Sequence, residues 1–262
     1  MGLAHGTIGW ADVAVPDMVA GAAFYKALFG WETQDSESDS FPYSMFTKDG
    51  KVVAGMGGLD PEQIEAGQPA VWSSYIIVDD ADATFAKAVE LGAVPIMEPM
   101  DVLDAGRMFF VLDPVGAAVG FWQSGTHDGA EVFNKPNTMT WNEIASRDVD
   151  AAVSFYSDLV GWSADASDFD GFAYTVLKVG ERTTGGAYDM TGFAPDEVPA
   201  HWLSWFGVED CTAAAATVSE HGGSVVRPPE KSSVGVSAVV TDPFGAAFGI
   251  IEAAQYDDQP QR

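Results

Sequence analysis

Two strand-like segments of the sequence each carry a tryptophan and a carboxylate two residues apart. Trp10 and Asp12 lie near the amino terminus, and Trp141 and Glu143 lie 131 residues further along. Side chains at positions i and i+2 of a strand point to the same face. An indole ring can stack on a flat ligand or hold a cation, and a carboxylate can anchor a ligand or act as a general base. Core packing and a salt bridge are the alternatives, and both interpretations stay open.

Two further side chains in the first half could take part in such chemistry. Arg107 is one of five arginines, and the second half has Val236 at the aligned place. An arginine present in only one half indicates a role specific to that half, such as binding a carboxylate or a phosphate group. A structural ion pair is the alternative. Tyr75 offers a phenol in a strand-like run that also contains Ser73.

The charge balance narrows the classes of partner. The chain has 39 acidic and 12 basic residues and a formal net charge of −27. Such a surface repels phosphate backbones, so we expect no nucleic acid and no membrane as a partner. It would favour a cationic ligand, or it serves solubility alone. With a single cysteine and no signal-like start, the sequence predicts a cytoplasmic protein.

A repeat divides the chain into two halves. The 22-residue segments 10–31 and 141–162 share Trp, Asp, Phe-Tyr, Leu and Gly-Trp in register. An Asp-Pro-x-Gly turn, at Asp113 and again at Asp242, is followed by a short apolar run in each half. The repeat predicts homologous domains at 1–125 and 138–262, joined by a polar linker at 126–137.

Each half also contains a weaker internal repeat. An acidic residue followed 13 residues later by glycine predicts a capped helix four times, at 17–30, 79–92, 148–161 and near 209–222. Each helix follows one short strand and precedes several others. The predicted unit is therefore βαβββ, present twice in each domain.

These pieces together resemble the vicinal oxygen chelate superfamily, which contains glyoxalases, bleomycin-resistance proteins and extradiol dioxygenases. The resemblance is carried by "FYKALFGW", "YIIVDDADATFAKAVELGA" and "LDPVGAAVGFWQ", each with a copy in the second half. The chain looks most like the two-domain actinobacterial members labelled hydroxylase or glyoxalase-like. The resemblance implies an α+β fold of tandem domains, in which four βαβββ units form cup-shaped mixed sheets with helices outside. In the family, the cup holds a metal ion and a small ligand.

The resemblance also implies where metal ligands would lie, and the residues there are unsuitable. The corresponding positions are Trp10, Trp72 or Ser73, and Gly120 in the first domain, and Trp141, Trp202 or Leu203, and Gly249 in the second. Divalent cations need carboxylate, imidazole or thiolate donors, and an indole N–H only donates. We therefore expect neither a metal nor a cofactor.

The resemblance implies one cup in each half. Gly120 and Gly249 are expected to leave room for the rings of Trp10 and Trp141, respectively, which take the place of the metal. The candidate ligand-binding residues are Trp10, Asp12, Ser73, Tyr75, Arg107, Gly120 and Trp122 in the first domain and Trp141, Glu143 and Gly249 in the second.

Three functions remain open at this level. The first is a glyoxalase- or bleomycin-resistance-like protein that binds a small organic ligand, cationic or aromatic, in a cup without metal ligands. The second is a metal-independent or atypical enzyme, lyase, isomerase or hydroxylase-like, that uses Asp12, Glu143 and Arg107. The third is a structural protein with filled cups. We expect a monomer or a weak homodimer.

Overall fold

The computed structural model describes residues 2–36 and 42–256, which form two domains of the same design. The first unit consists of β1 (Ile8–Val15), α1 (Met18–Phe29), β2 (Glu32–Asp35), β3 (Tyr43–Lys48) and β4 (Lys51–Gly58). A short helix, α2 (Pro61–Glu65), leads to the second unit. That unit consists of β5 (Val71–Ile77), α3 (Ala81–Glu90), β6 (Val94–Val102), β7 (Gly106–Leu112) and β8 (Ala118–Ser124).

The second domain repeats the two units. Its first unit consists of β9 (Met139–Ser146), α4 (Val149–Val160), β10 (Ser163–Phe169), β11 (Phe172–Val179) and β12 (Arg182–Asp189). Its second unit consists of β13 (His201–Gly207), α5 (Cys211–Glu220), β14 (Ser224–Ser232), β15 (Gly235–Thr241) and β16 (Ala247–Ala253). The predicted α+β fold with four βαβββ units is confirmed.

Each domain forms one eight-stranded mixed sheet that curls into a cup. The strand orders are β2-β3-β4-β1-β5-β8-β7-β6 and β10-β11-β12-β9-β13-β16-β15-β14. The two units of a domain meet along an antiparallel pair, β1 with β5 and β9 with β13. The first strand of each unit is therefore central, and its alternate side chains reach the floor of the cup.

The helix caps follow the predicted chemistry, with two shifts of one residue. Asp17 caps α1, and Gly30 ends the helix at a φ of 68°, a left-handed conformation that suits glycine. Asp148 caps α4 in the same way. The caps of α3 and α5 are Asp80 and Asp210, one residue after the predicted positions. No helix within the described ranges is long and apolar enough to cross a membrane.

The two cups stand back to back, with the helices between their convex faces. Two buried cores fill this space, and each contains residues of both domains. In one of them, Phe29 of α1 packs on Phe206 of β13 with ring centroids 5.4 Å apart. Because the convex faces cover each other, the concave faces of the cups point away from the contact between the domains.

A reciprocal hydrogen-bond relay joins the domains. Trp72 Nε1 donates to the phenol of Tyr25, which donates to Asp242 Oδ2 of the other domain at 3.0 Å. The mirror relay runs from Trp202 through Tyr156 to Asp113 at 2.8 Å. Both aspartates belong to the Asp-Pro-x-Gly turns and are 2% exposed. These turns therefore tie the two halves together as well as ending a strand.

Candidate functional site

The floor of the first cup is a hydrogen-bonded cluster around one carboxylate. Asp12 Oδ2 accepts from the phenols of Tyr43, at 3.0 Å, and Tyr75, at 2.8 Å. Trp10 Nε1 donates to the Tyr43 oxygen at 3.2 Å. The three partners come from β1, β3 and β5, so the curl of the sheet brings the cluster together.

The environment of Asp12 changes its acid–base behaviour. Burial raises the pKa of Asp12 to about 6, although the bonds from Tyr75, Tyr43 and Trp10 partly offset that rise. Burial and the charge of Asp12 also raise the pKa of both phenols well above the ordinary value. The phenols therefore remain hydrogen-bond donors near neutral pH, while the carboxyl group can gain or lose a proton there.

The second cup repeats the arrangement with one change of partner. Glu143 Oε2 accepts from the phenol of Tyr174 at 2.8 Å, and Trp141 Nε1 donates to that phenol at 2.7 Å. At the place of Tyr75 stands Trp205. Burial raises the pKa of Glu143, and Tyr174, Trp205 and Arg227 partly offset the rise.

Both cups thus hold the same set of a tryptophan, a tyrosine and a carboxylate. Tyr43 and Tyr174 were not among the residues predicted from the sequence, and neither was Trp205. A signal for the first pair exists, because Tyr43 and Tyr174 are separated by the same 131 residues as Trp10 and Trp141. Each of these tyrosine rings lies over a glycine of the neighbouring strand, Tyr43 over Gly55 and Tyr174 over Gly186.

The predicted contacts of the two strand glycines were wrong. Gly120 is covered by the ring of Tyr75, and Gly249 by the ring of Trp205. The reason is strand order, since β5 lies beside β8 and β13 beside β16, which pairs these residues directly. Trp10 instead lies against Gly55 of β4, where an added Cβ would come within 2.9 Å of its Cζ2 atom.

Gly120→Ala is expected to disturb the floor of the first cup. The added Cβ would lie 2.6 Å from Tyr75 Cδ1, so the ring must move and draw its phenol away from Asp12. We expect the free energy of unfolding to fall by about 1 kcal/mol, measured by urea denaturation. Gly57→Ala is the matched control, because its Cβ would meet Tyr43 at an ordinary 3.6 Å. Equal losses in the two variants would contradict the close contact at Gly120.

The other predicted residues divide between the cup and the surface. Ser73 pairs with Asp12 and shares its face, whereas Trp72 packs in the core on the convex face. Trp122 lies at one end of the first cup, where its Nε1 donates to the carbonyl of His127 at 2.9 Å.

Arg107 does not line the cup. It lies on the same face of β7 as the buried core residue Phe109, and its guanidinium binds Asp82 and Asp101 at 2.8 Å. Its assignment as a ligand-binding residue is corrected, and the alternative of a structural ion pair accounts for it.

The chain belongs to the glyoxalase/bleomycin resistance protein/dioxygenase superfamily. The model of that family matches residues 7–121 and 135–250. Similar proteins include CFP32 of Mycobacterium bovis and Mycobacterium tuberculosis, which carries a provisional glyoxylase name. It is 40% identical over 256 residues, covering 95% of this chain and 96% of the relative. The anthracycline biosynthesis protein DnrV of Streptomyces peucetius is 35% identical over 262 residues, covering 95% of this chain and 94% of that relative.

Solved structures share the fold at low sequence identity. The Mn(II)-bound glyoxalase of Novosphingobium aromaticivorans has a TM-score of 0.63 at 16% identity, covering 100% of this chain and 87% of that one. The 2,3-dioxygenase LapB of Pseudomonas sp. KL28 has a TM-score of 0.63 at 16% identity, covering 100% of this chain and 96% of that one. The likeness to both concerns the fold.

The residues at the positions where the family resemblance implies metal ligands are poor donors for a divalent cation. In the first cup they are Trp10, Ser73 and Gly120, and in the second they are Trp141, Leu203 and Gly249. Each floor holds one carboxylate with phenol and indole neighbours, Asp12 with Tyr43, Tyr75 and Trp10, and Glu143 with Tyr174 and Trp141. Across residues 2–36 and 42–256, no group of three or more His, Cys, Asp or Glu could hold a metal ion.

Proposed function

We propose that this protein binds a small, flat organic molecule in at least one of its two cups. The observation that carries the proposal is the tryptophan–tyrosine–carboxylate set that stands at the floor of both cups. Aromatic faces supply a large contact area for a flat ring, and a carboxylate held by donors fixes the orientation of one polar group. Asp12 and Glu143 are the proposed anchors.

Three features support this proposal over chemistry at a metal. The floor supplies aromatic and carboxylate groups where ligands of a cation would stand. The contact between the domains covers the convex faces, so the concave faces take no part in it. One relative, 35% identical, is named for the biosynthesis of anthracyclines, which are flat aromatic compounds, and such a ligand suits an aromatic cup.

A thermal-shift screen followed by titration calorimetry tests the proposal. We expect some aromatic compounds to raise the unfolding temperature, because a ligand at 100 times its Kd stabilises the folded state by about 2.7 kcal/mol. Of Asp12→Asn and Glu143→Gln, at least one should weaken binding about tenfold through the lost charged hydrogen bond. Asp104→Asn is the control at an exposed position. Binding that is equally tight in all three variants would contradict the proposed anchors.

A metal-independent enzyme is the second candidate, and the pKa of Asp12 favours it. A carboxyl group with a pKa of about 6, next to the phenol of Tyr75, is suited to accept a proton near neutral pH. Proton abstraction next to a carbonyl would appear by NMR as deuterium exchange into dihydroxyacetone in heavy water. Exchange at the same rate with the wild type, with Asp12→Asn and without protein would count against this activity.

A further inference from the structure

The two cups differ in how tightly they are packed. In the first, Trp10 is 3% exposed and Tyr75 is 5% exposed, and both belong to a buried cluster with Leu3 and Trp122. The ring of His127 from the linker closes against Trp10 with centroids 4.5 Å apart. In the second cup the corresponding Trp141 is only partly buried. The first cup is therefore largely occupied by its own side chains.

A second difference concerns the residue on the strand next to the carboxylate. In the first cup the phenol of Tyr75 donates to Asp12. In the second cup Trp205 is 7% exposed, and its Nε1 atom has no hydrogen-bond partner in the described part of the chain. The Trp205 N–H is directed at Glu143 and, as a hydrogen-bond donor, lowers the pKa of that carboxyl group, but it lies outside hydrogen-bonding geometry. A buried N–H without a partner is costly, so a ligand that accepts from it gains affinity.

His127 Nε2, in the linker, is also buried and has no hydrogen-bond partner among residues 2–36 and 42–256. Its ring, however, is wedged edge-on against Trp10 and Trp122, at the packed end of that cup. The unsatisfied nitrogen of Trp205 instead stands beside a carboxylate in the more open cup.

The walls of the second cup add a charge and an aromatic surface. The guanidinium of Arg227, on an exposed side chain, lies 5.6 Å from the centroid of the Trp205 ring. On the opposite side, Phe172 of β11 contacts Tyr188 of β12 and Phe193 of the turn after β12, with centroids 5.6 Å and 5.3 Å apart. Phe193 is 71% exposed, which is unusual for so large an apolar ring.

We infer that the second cup is the ligand site, and that it takes a flat aromatic molecule, neutral or anionic, whose carbonyl or hydroxyl oxygen accepts a hydrogen bond from Trp205 Nε1. The inference rests on the proposed function and specifies its cup and ligand class. A hydroxyl group on the same ligand donates to Glu143. Arg227 at the mouth disfavours a cation, in contrast to the attraction that the net charge alone would predict.

Two probes of equal ring number test the inference on the full chain. Alizarin is a flat dihydroxyanthraquinone, and proflavine is a flat cationic acridine. Binding is measured by calorimetry on the wild type, on Trp205→Phe, and on Tyr75→Phe, which is the corresponding change in the first cup. We expect alizarin to bind more tightly than proflavine, and Trp205→Phe to weaken alizarin binding about fivefold to tenfold. Asp104→Asn, the exposed control, is measured in the same way and should leave alizarin affinity within about twofold, whereas a loss in Tyr75→Phe would report binding in the first cup.

Unfolding temperatures separate a binding role of Trp205 from a packing role. Trp205→Phe keeps an aromatic ring and removes an unsatisfied donor, so its unfolding temperature should not fall. A fall together with unchanged alizarin affinity would overturn the inference. Alizarin affinity lost only in Tyr75→Phe would move the ligand to the first cup and leave the proposed function standing. Tighter binding of proflavine would overturn the ligand class, and binding of neither probe would contradict both proposals.

Discussion

Asp242→Ala is expected to lower the free energy of unfolding by about 4 kcal/mol, the largest loss that we predict for a single change. Asp242 Oδ1 accepts from the backbone N–H groups of Phe244 and Ala246, both at 2.9 Å, and Oδ2 accepts from Tyr25. Alanine would leave three donors unsatisfied inside the domain interface. Urea denaturation measures the loss.

A double-mutant cycle attributes the loss to the contact between domains. Tyr25→Phe alone should cost about 2 kcal/mol, because it leaves Trp72 Nε1 and one oxygen of Asp242 without partners. The two changes share a contact, so their combined loss should be smaller than the sum. Asp104→Ala, at an exposed position, should change stability by less than about 0.5 kcal/mol. A loss under about 1 kcal/mol for Asp242→Ala would contradict the relay.

Asp12→Asn is expected to stabilise the folded protein by about 2 kcal/mol at pH 7.5. The folded pKa of Asp12, about 6, lies above its ordinary value of 3.8, so the folded state binds the proton more tightly than the unfolded chain. The contribution of Asp12 to the free energy of unfolding therefore becomes less favourable as pH rises from about 4 through 6. An asparagine oxygen can still accept from Tyr43 and Tyr75, without the cost of burying a charge.

The measurement is the difference in unfolding free energy between Asp12→Asn and the wild type, taken from pH 4 to pH 8. We expect the difference to be near zero at the acidic end and to grow to about 2 kcal/mol above pH 7. Asp82→Asn is the control of opposite sign, because Arg107 lowers the pKa of Asp82 and its charge is favourable. A difference for Asp12→Asn that does not change with pH would show that its carboxyl group is not perturbed.

The repeated units and helices were predictable because their signals are local. The acidic residue and the glycine at the two ends of α1 lie within one short segment, and they act on the backbone of that same helix. The one-residue shifts at α3 and α5 arise where two acidic residues are consecutive, Asp79 with Asp80 and Glu209 with Asp210. Local sequence does not decide which of the two carboxylates reaches the first turn.

The site was predicted less well because its contacts depend on which strands are neighbours. The positions of Asp12 and Glu143 were predictable from the alternation of side chains along β1 and β9, respectively. Both residues lie at the floors of their cups. The partners of the glycines require the strand order of the whole sheet, and this is where the expectation of Trp10 beside Gly120 went wrong. Similarly, the relay from Tyr25 to Asp242 spans 217 positions and joins the two domains.

The reciprocal relay also gives the chain an internal two-fold relation. Each half carries both sides of the contact: Tyr25 and Asp113 in the first, and Tyr156 and Asp242 in the second. Near the centre, Ser74 and Ser204 meet each other at 3.0 Å. A surface that supplies donor and acceptor to its own counterpart is the pattern of an isologous dimer interface. The protein therefore has the architecture of a symmetric dimer joined into one polypeptide, and in a single chain the two cups can carry different residues, as Tyr75 and Trp205 do.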